Sequence, residues 1–111
     1  MTNPIPQVRD LSAPVLLLSH LHTTLAHLPG ATFHISPIYP DRLEISLHDD
    51  RQAAFDVWRQ ALALPEPTGH HFSGSSWLRT RGPVWDVEVE LIGYLTPDVS
   101  LAVLPAEWVA A

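Results

Sequence analysis

Leucine and valine recur every three or four positions near the start of the chain. That spacing places them on one face of an amphipathic helix. The repeating residues are Leu11, Val15, Leu18, Leu21, Leu25 and Leu28. Ser12 is a suitable N-cap, with Pro14 just inside the first turn. Pro29 and Gly30 are typical of a helix end. We therefore predict a first helix over residues 13–28.

The next two segments alternate apolar and polar residues, as half-buried strands do. Residues 31–36 read ATFHIS and residues 43–48 read LEISLH, with the turn-like segment PIYPDR between them. We predict a hairpin of two strands. Its polar side carries His34 and Ser36 on one strand and Glu44, Ser46 and His48 on the other.

A second helix is predicted over residues 50–63. Asp49, followed three residues later by Gln52, resembles a capping box. The apolar face consists of Ala54, Phe55, Trp58, Ala61 and Leu62. Pro65 and Pro67 end the helix.

The remaining pattern predicts a second hairpin. The segment HHFSGSSWLRTR is extended, Gly82 and Pro83 turn the chain, and VWDVEVELIGYL alternates clearly. Phe72 and Trp77 differ in parity, so we expect a bulge at Gly74 that buries both side chains together. If Trp77 faces the other way, it lies opposite Asp86 with Arg79 nearby.

Two local matches suggest an internal duplication. The pattern L-P-x-x-T-x-H occurs at 28–34 and again at 64–70, and LEISL at 43–47 resembles VEVEL at 87–91. The second match requires an eight-residue insertion. The competing explanation is that helix-ending prolines and alternating strands look alike in unrelated segments.

The predicted fold class is α+β, in the order α-β-β-α-β-β. Two helices cover one face of a four-stranded, mainly antiparallel sheet in a two-layer sandwich, with the strand order left open. We expect residues 1–111 to form a single domain. Residues 1–11 form a loose N-terminal arm, and residues 97–111 form a C-terminal tail or a swapped arm.

Composition excludes several classes of protein. The chain has 111 residues, 46% of them hydrophobic, and no cysteine, so we expect neither a disulfide framework nor a thiolate site. Six basic residues, all arginine, against twelve acidic ones give a net charge of -6, which disfavours direct nucleic-acid binding. No apolar run is long enough to span a membrane. These features predict a cytoplasmic protein, and the absence of lysine suggests a GC-rich bacterial source.

Three histidines lie close together in HLHTTLAH, residues 20–27. On a helix, His20 and His22 point about 200° apart, and His20 and His27 are about 10.5 Å apart along the axis. Helical metal pairs use spacings of three or four, which are occupied here by Thr23, Thr24 and Ala26. We therefore interpret this segment as the polar flank of a helix.

The sheet face away from the helices is the better candidate site. A histidine and a carboxylate on adjacent strands, His34 and Glu44, could perform acid-base chemistry or bind a ligand. The candidate residues on this face are His34, Glu44, His48, His70, Trp77 and Glu88. The competing explanation is a solvated polar surface, which antiparallel sheets commonly present.

The function that these features favour is a non-enzymatic interaction or accessory module acting as a homodimer. The sequence contains no G-x-S-x-G, P-loop or G-x-G-x-x-G motif, and we expect no cofactor and no metal. Apolar interface candidates are Tyr94, Val99, Leu101 and Trp108. The main alternative is a small-molecule or metal-binding enzyme that uses the His and Glu residues of the open face. A weaker alternative is an acidic mimic of nucleic acid.

Overall fold

Two helices and five strands follow one another in the part of the chain that the structure describes. The structure is a computed structural model and describes residues 5–48 and 52–95. A single 3-10 turn, Val8–Leu11, leads directly into the first helix. The elements are α1 (Ser12–Thr24), β1 (Thr32–Ser36), β2 (Tyr39–Leu47), α2 (Gln52–Ala61), β3 (Thr68–Phe72), β4 (Ser75–Val84) and β5 (Val87–Leu95).

The five strands form one mixed sheet in the order β1-β2-β5-β4-β3. Strands β2 and β5 pair in parallel, whereas the other neighbours are antiparallel. The α+β class with two helices is confirmed, as is the first hairpin. The prediction of a four-stranded, mainly antiparallel sheet was wrong in its strand number, and it missed the central parallel pair.

The fifth strand arises from a turn at Ser73 and Gly74. Both residues have left-handed backbone angles, with φ of 51° and 80°, and Phe72 lies opposite Ser75. Two consecutive left-handed residues are the hallmark of a type I′ hairpin turn. The expected bulge at Gly74 is therefore wrong, and so is the expected shared burial, because Phe72 is exposed on the hairpin.

The β4–β5 hairpin turns at Trp85 and Asp86. Their φ angles are 58° and 82°, and Val84 pairs with Val87 across the turn. A tryptophan in this region of backbone space is unusual, so the residue types here do not predict a turn. The predicted turn at Gly82 and Pro83 lies instead inside β4. The later turn changes the register of the whole hairpin.

Both helices pack on the same face of the sheet, as predicted. Phe55 of α2 is buried against Gly93, whose position would leave a Cβ atom only 2.7 Å from the Phe55 ring. Trp58 is also buried, and its Nε1 donates a hydrogen bond to the carbonyl oxygen of Pro29 at 2.8 Å. The sheet contributes Leu43, Ile45, Leu47, Leu78, Val87, Val89 and Leu91 to the shared core.

Helix α1 buries a face that includes Leu17, which the predicted apolar face omitted. Its buried residues are Pro14, Leu17 and Leu21, whereas Val15 is half exposed. The helix also ends at Thr24 rather than at residue 28, and Leu11 rather than Ser12 occupies the N-cap position. The predicted apolar face is therefore divided between the core and a surface groove.

The two L-P-x-x-T-x-H segments occupy comparable places in the fold. Each follows a helix, and its threonine, Thr32 or Thr68, begins one of the two edge strands. In the other match, LEISL lies in β2 and VEVEL lies in β5, and these two strands are parallel neighbours. The apparent insertion corresponds to an additional strand in the second half, and the duplication itself stays a prediction.

Several predictions concern residues outside the described ranges. These are the tail or swapped arm at 97–111 and the interface candidates Val99, Leu101 and Trp108.

Among the described residues, no helix is long and apolar enough to cross a membrane.

Candidate functional site

The candidate site is the face of the sheet that points away from the helices, which we call the open face. Alternation along each strand determines which side chains reach it, because the buried core residues occupy the opposite parity. All six candidate residues lie on this face: His34, Glu44, His48, His70, Trp77 and Glu88. The interface candidate Tyr94 lies there too.

A row of four rings, His48, Tyr94, Trp77 and His70, crosses the open face at one end of the strands. We call it the aromatic row. His48 stacks on Tyr94 with ring centroids 4.8 Å apart, and His70 stacks on Trp77 at 5.5 Å. Tyr94 and Trp77 are directly opposite each other on β5 and β4. The aromatic row therefore places four rings side by side across the neighbouring strands β2, β5, β4 and β3.

The aromatic row borders further apolar surface. Phe72 is 73% exposed on the same side of β3, and Ile92 lies one row below Tyr94 on β5. Ile92 is already buried in the monomer, whereas Tyr94 is 37% exposed. The exposed parts of Phe72 and Tyr94 are apolar surface that gains free energy when a partner covers it.

The other end of the open face carries a charged cluster, which we define as Arg42, Glu44, Arg79, Arg81, Glu88 and Glu90. Arg79 contacts Glu90 at 2.9 Å, and Arg81 contacts Glu88 at 2.8 Å. Arg42 reaches Glu88 at 3.3 Å. The pairing expected from the sequence, Trp77 near Asp86 with Arg79, was wrong because the later hairpin turn shifts the register.

These ion pairs change the charge of the open face. Three arginines and three glutamates balance there, although the chain as a whole carries a net charge of -6. The carboxylates of Glu88 and Glu90, in the acidic segment DVEVE, are engaged by arginine. The hypothesis of an acidic nucleic-acid mimic stays a prediction.

A small cleft of about 260 Å³ opens at the β1–β2 edge of the open face. His34 lies directly opposite Glu44, and both line the cleft. Arg42 stacks over the ring of Tyr39, with its guanidinium carbon 4.0 Å from the ring centroid. Glu90 forms part of the wall and is itself held by Arg79.

The fold keeps His34 beside Glu44 but separates this pair from His48 and His70. His48 lies two same-face positions beyond Glu44 along β2, or about 13 Å at the usual rise of a strand. His48 and His70 belong to the aromatic row and are therefore remote from the cleft. Within residues 5–48 and 52–95, no three histidine, aspartate or glutamate side chains are grouped so that they could hold a metal ion.

The histidines of α1 have separate environments. The ring of His20 lies 4.2 Å from that of Trp85 in the β4–β5 turn. His22 lines a groove on another side of the helix. This divergence agrees with the helical geometry that the spacing predicted.

Sequence reasoning missed one large surface feature, an apolar groove of about 570 Å³. The groove lies between α1, the segment that follows it, Phe33 of β1 and Trp58 of α2. Its lining is mainly aliphatic and aromatic and includes Val15, Leu18, Leu25, Leu28, Ala31, Phe33 and Trp58. Val15, Leu18, Leu25 and Leu28 were expected on the core-facing side of the first helix, and periodicity alone does not distinguish a core face from a groove wall.

Sequence reasoning also omitted Glu90, Arg81 and Ile92 from the open face. Glu90 shares the parity of Glu88 in VEVEL, so alternation along the strand was a sufficient signal. Arg81 and Ile92 required the register of the β4–β5 hairpin, which depends on the unusual turn at Trp85.

The sequence matches no protein-family model and no curated protein at a significant level.

Proposed function

We propose that this protein is a non-catalytic interaction module that forms a homodimer through the open face of its sheet. The observation that carries the proposal is the aromatic row, His48–Tyr94–Trp77–His70, on a face that no described helix covers. Aromatic residues and arginine are the types most enriched at the energetic centres of protein interfaces. The open face combines both.

The charge distribution favours a second copy as the partner. Arg79 and Arg81 lie on β4, whereas Glu88 and Glu90 lie on the neighbouring strand β5. A two-fold axis parallel to the strands, between β4 and β5, would place the arginines of one copy against the glutamates of the other. The same axis would bring the two aromatic rows together. A self-complementary patch of this kind is what a symmetric dimer requires.

The local balance of charge also matters for approach. Two chains with a net charge of -6 repel each other at long range. The open face contributes nothing to this repulsion, because its three arginines offset its three glutamates. Association through the open face therefore brings locally neutral surfaces into contact, which lowers the electrostatic cost relative to contact between acidic surfaces.

Sedimentation velocity at micromolar concentrations tests the proposal. We expect a monomer–dimer equilibrium for the wild type. Trp77→Ala should weaken it by at least about tenfold, the loss typical of an interface residue of high energy. The matched control is Trp85→Ala, which removes the same side chain from the exposed β4–β5 turn and should leave the equilibrium unchanged.

Tyr94→Ala provides a second interface variant in case Trp77→Ala fails to fold. Circular dichroism should show a native spectrum for each variant that is interpreted. A wild-type protein that stays monomeric throughout the micromolar range would contradict the proposal. Equal weakening by Trp77→Ala and Trp85→Ala would contradict it too.

A further inference from the structure

The apolar groove beside α1 lacks a partner among the described residues. Val15 is 50% exposed there, and Phe33 is 38% exposed although it belongs to the helix-covered side of β1. The groove is on the opposite side of the sheet from the aromatic row, so the proposed dimer leaves it uncovered. An exposed apolar groove on a folded domain is typical of a site that binds a ligand or another protein segment.

The C-terminal segment of the chain has the composition to cover this groove. Ten of the 16 residues in 96–111, TPDVSLAVLPAEWVAA, are apolar, and none is basic. Val99, Leu101 and Val103 alternate, and Trp108 supplies one large aromatic side chain. Such a segment loses little by leaving water and gains from contact with an aliphatic and aromatic surface.

The last strand, β5, ends at the end of the sheet that borders the groove. In β2, Ser46 pairs with Thr32 of β1 on one side and with Ile92 of β5 on the other. Strand β5 therefore ends at Leu95, at the same end of the sheet where β1 begins. The residues just before β1, from Leu28 to Ala31, form one wall of the groove.

The segment is also long enough. Strands β5 and β1 are separated by β2, a sideways distance of about 10 Å at the usual strand spacing. An extended segment of 16 residues reaches about 50 Å. About five residues suffice for the crossing, so the remainder can run along the groove.

We infer that residues 97–111 bind the apolar groove of their own molecule. The short connection to β5 gives the segment a high effective concentration at the groove, which favours its own chain over a second copy. Binding would bury the exposed sides of Val15 and Phe33 and complete the helix layer at the β1 edge. This inference does not depend on the homodimer proposed above.

Disulfide cross-linking tests the inference, and the lack of native cysteine makes the readout clean. In the full chain, Ser19→Cys at the groove is combined with Leu101→Cys in the C-terminal segment. The matched control combines Leu101→Cys with His20→Cys, the neighbouring position on α1 that contacts Trp85. We expect the groove pair to form an intramolecular disulfide at least about tenfold faster than the control pair, reflecting the local concentration at the groove.

Two aliphatic positions on α1 provide an independent check in the same cysteine background. Val15→Arg places a charge in the groove, whereas Leu16→Arg places it at a neighbouring exposed position that does not line the groove. Val15→Arg should slow the cross-link about as much as moving the cysteine does, and Leu16→Arg should not. Equal rates for the groove and control pairs, or disulfides only between two molecules, would overturn the inference.

Discussion

Gly93 lies where helix α2 approaches the centre of the sheet most closely. Its two neighbours across the sheet are Leu47 on β2 and Leu78 on β4, and both are buried. A side chain at this position would meet the Phe55 ring, which fills the space above β5. The absence of a Cβ atom at one residue therefore determines how closely the helix packs.

Substitution of Gly93 tests the contact with Phe55. Gly93→Ala should lower the free energy of unfolding by about 1–3 kcal/mol, because overpacking a close-packed core forces side chains and backbone to move. Gly30→Ala is the control, since a Cβ atom there has no neighbour within 4 Å. Urea denaturation measures both. Equal stability of the two variants would show that α2 packs further from β5 than the structure indicates.

At the scale of the element, α2 ends in a left-handed motif that its residue types do not predict. The amide of Leu64 donates to the carbonyl oxygen of Arg59 at 3.0 Å, and that of Ala63 donates to Gln60 at 3.1 Å. These bonds form a Schellman motif, in which the penultimate residue is left-handed and is usually glycine. Here Ala63 occupies that position with a φ of 54°.

Ala63→Gly should therefore stabilise the protein by about 0.5–1 kcal/mol, because glycine adopts the left-handed conformation without a steric cost. Ala61→Gly, at the last residue of α2, should have the opposite sign, since glycine destabilises right-handed helix by a similar amount. Thermal or urea unfolding of both variants measures the difference. Destabilisation by Ala63→Gly would show that the helix does not end in this motif.

The hairpin turns show the same limit on prediction from sequence. Ser73 and Gly74 resemble a bulge as readily as a turn, and Trp85 and Asp86 carry no turn signature although both are left-handed. The sequence therefore predicted the existence and parity of most strands. It placed one turn wrongly and missed the other.

At the scale of the whole molecule, two candidate binding surfaces lie on opposite sides of the sheet. The aromatic row and charged cluster lie on the open face, and the apolar groove lies on the helix side. The first has the composition of a protein interface, and the second that of a site for an apolar segment. Occupation of one therefore leaves the other accessible.

The proposed dimer makes the thermal stability of the protein depend on its concentration. Association that involves only the folded state raises the melting temperature with protein concentration. We expect the Tm of the wild type to rise across the micromolar range, and the Tm of Trp77→Ala to be nearly constant. Circular dichroism melts at several concentrations measure this dependence. A wild-type Tm that does not change with concentration would count against the dimer.

The sequence by itself determined the features that depend on near neighbours along the chain. Helical spacing predicted both helices, and alternation assigned His34, Glu44, His48 and Glu88 to one face, where the structure places them. Periodicity carries this information because each element repeats its own geometry. The sequence also disfavoured function classes that depend on a G-x-S-x-G, P-loop or G-x-G-x-x-G motif, because it contains none of these motifs.

Only the tertiary structure decided which distant segments meet. The parallel pairing of β2 with β5 brings His48 beside Tyr94, places Glu90 beside Glu44, and ends β5 at the end of the sheet where β1 begins. No local pattern specifies this pairing, because it depends on how the helices cover the sheet and on two left-handed turns. The parity of a strand is a property of its own residues, whereas its neighbours are chosen by the packing of the whole chain.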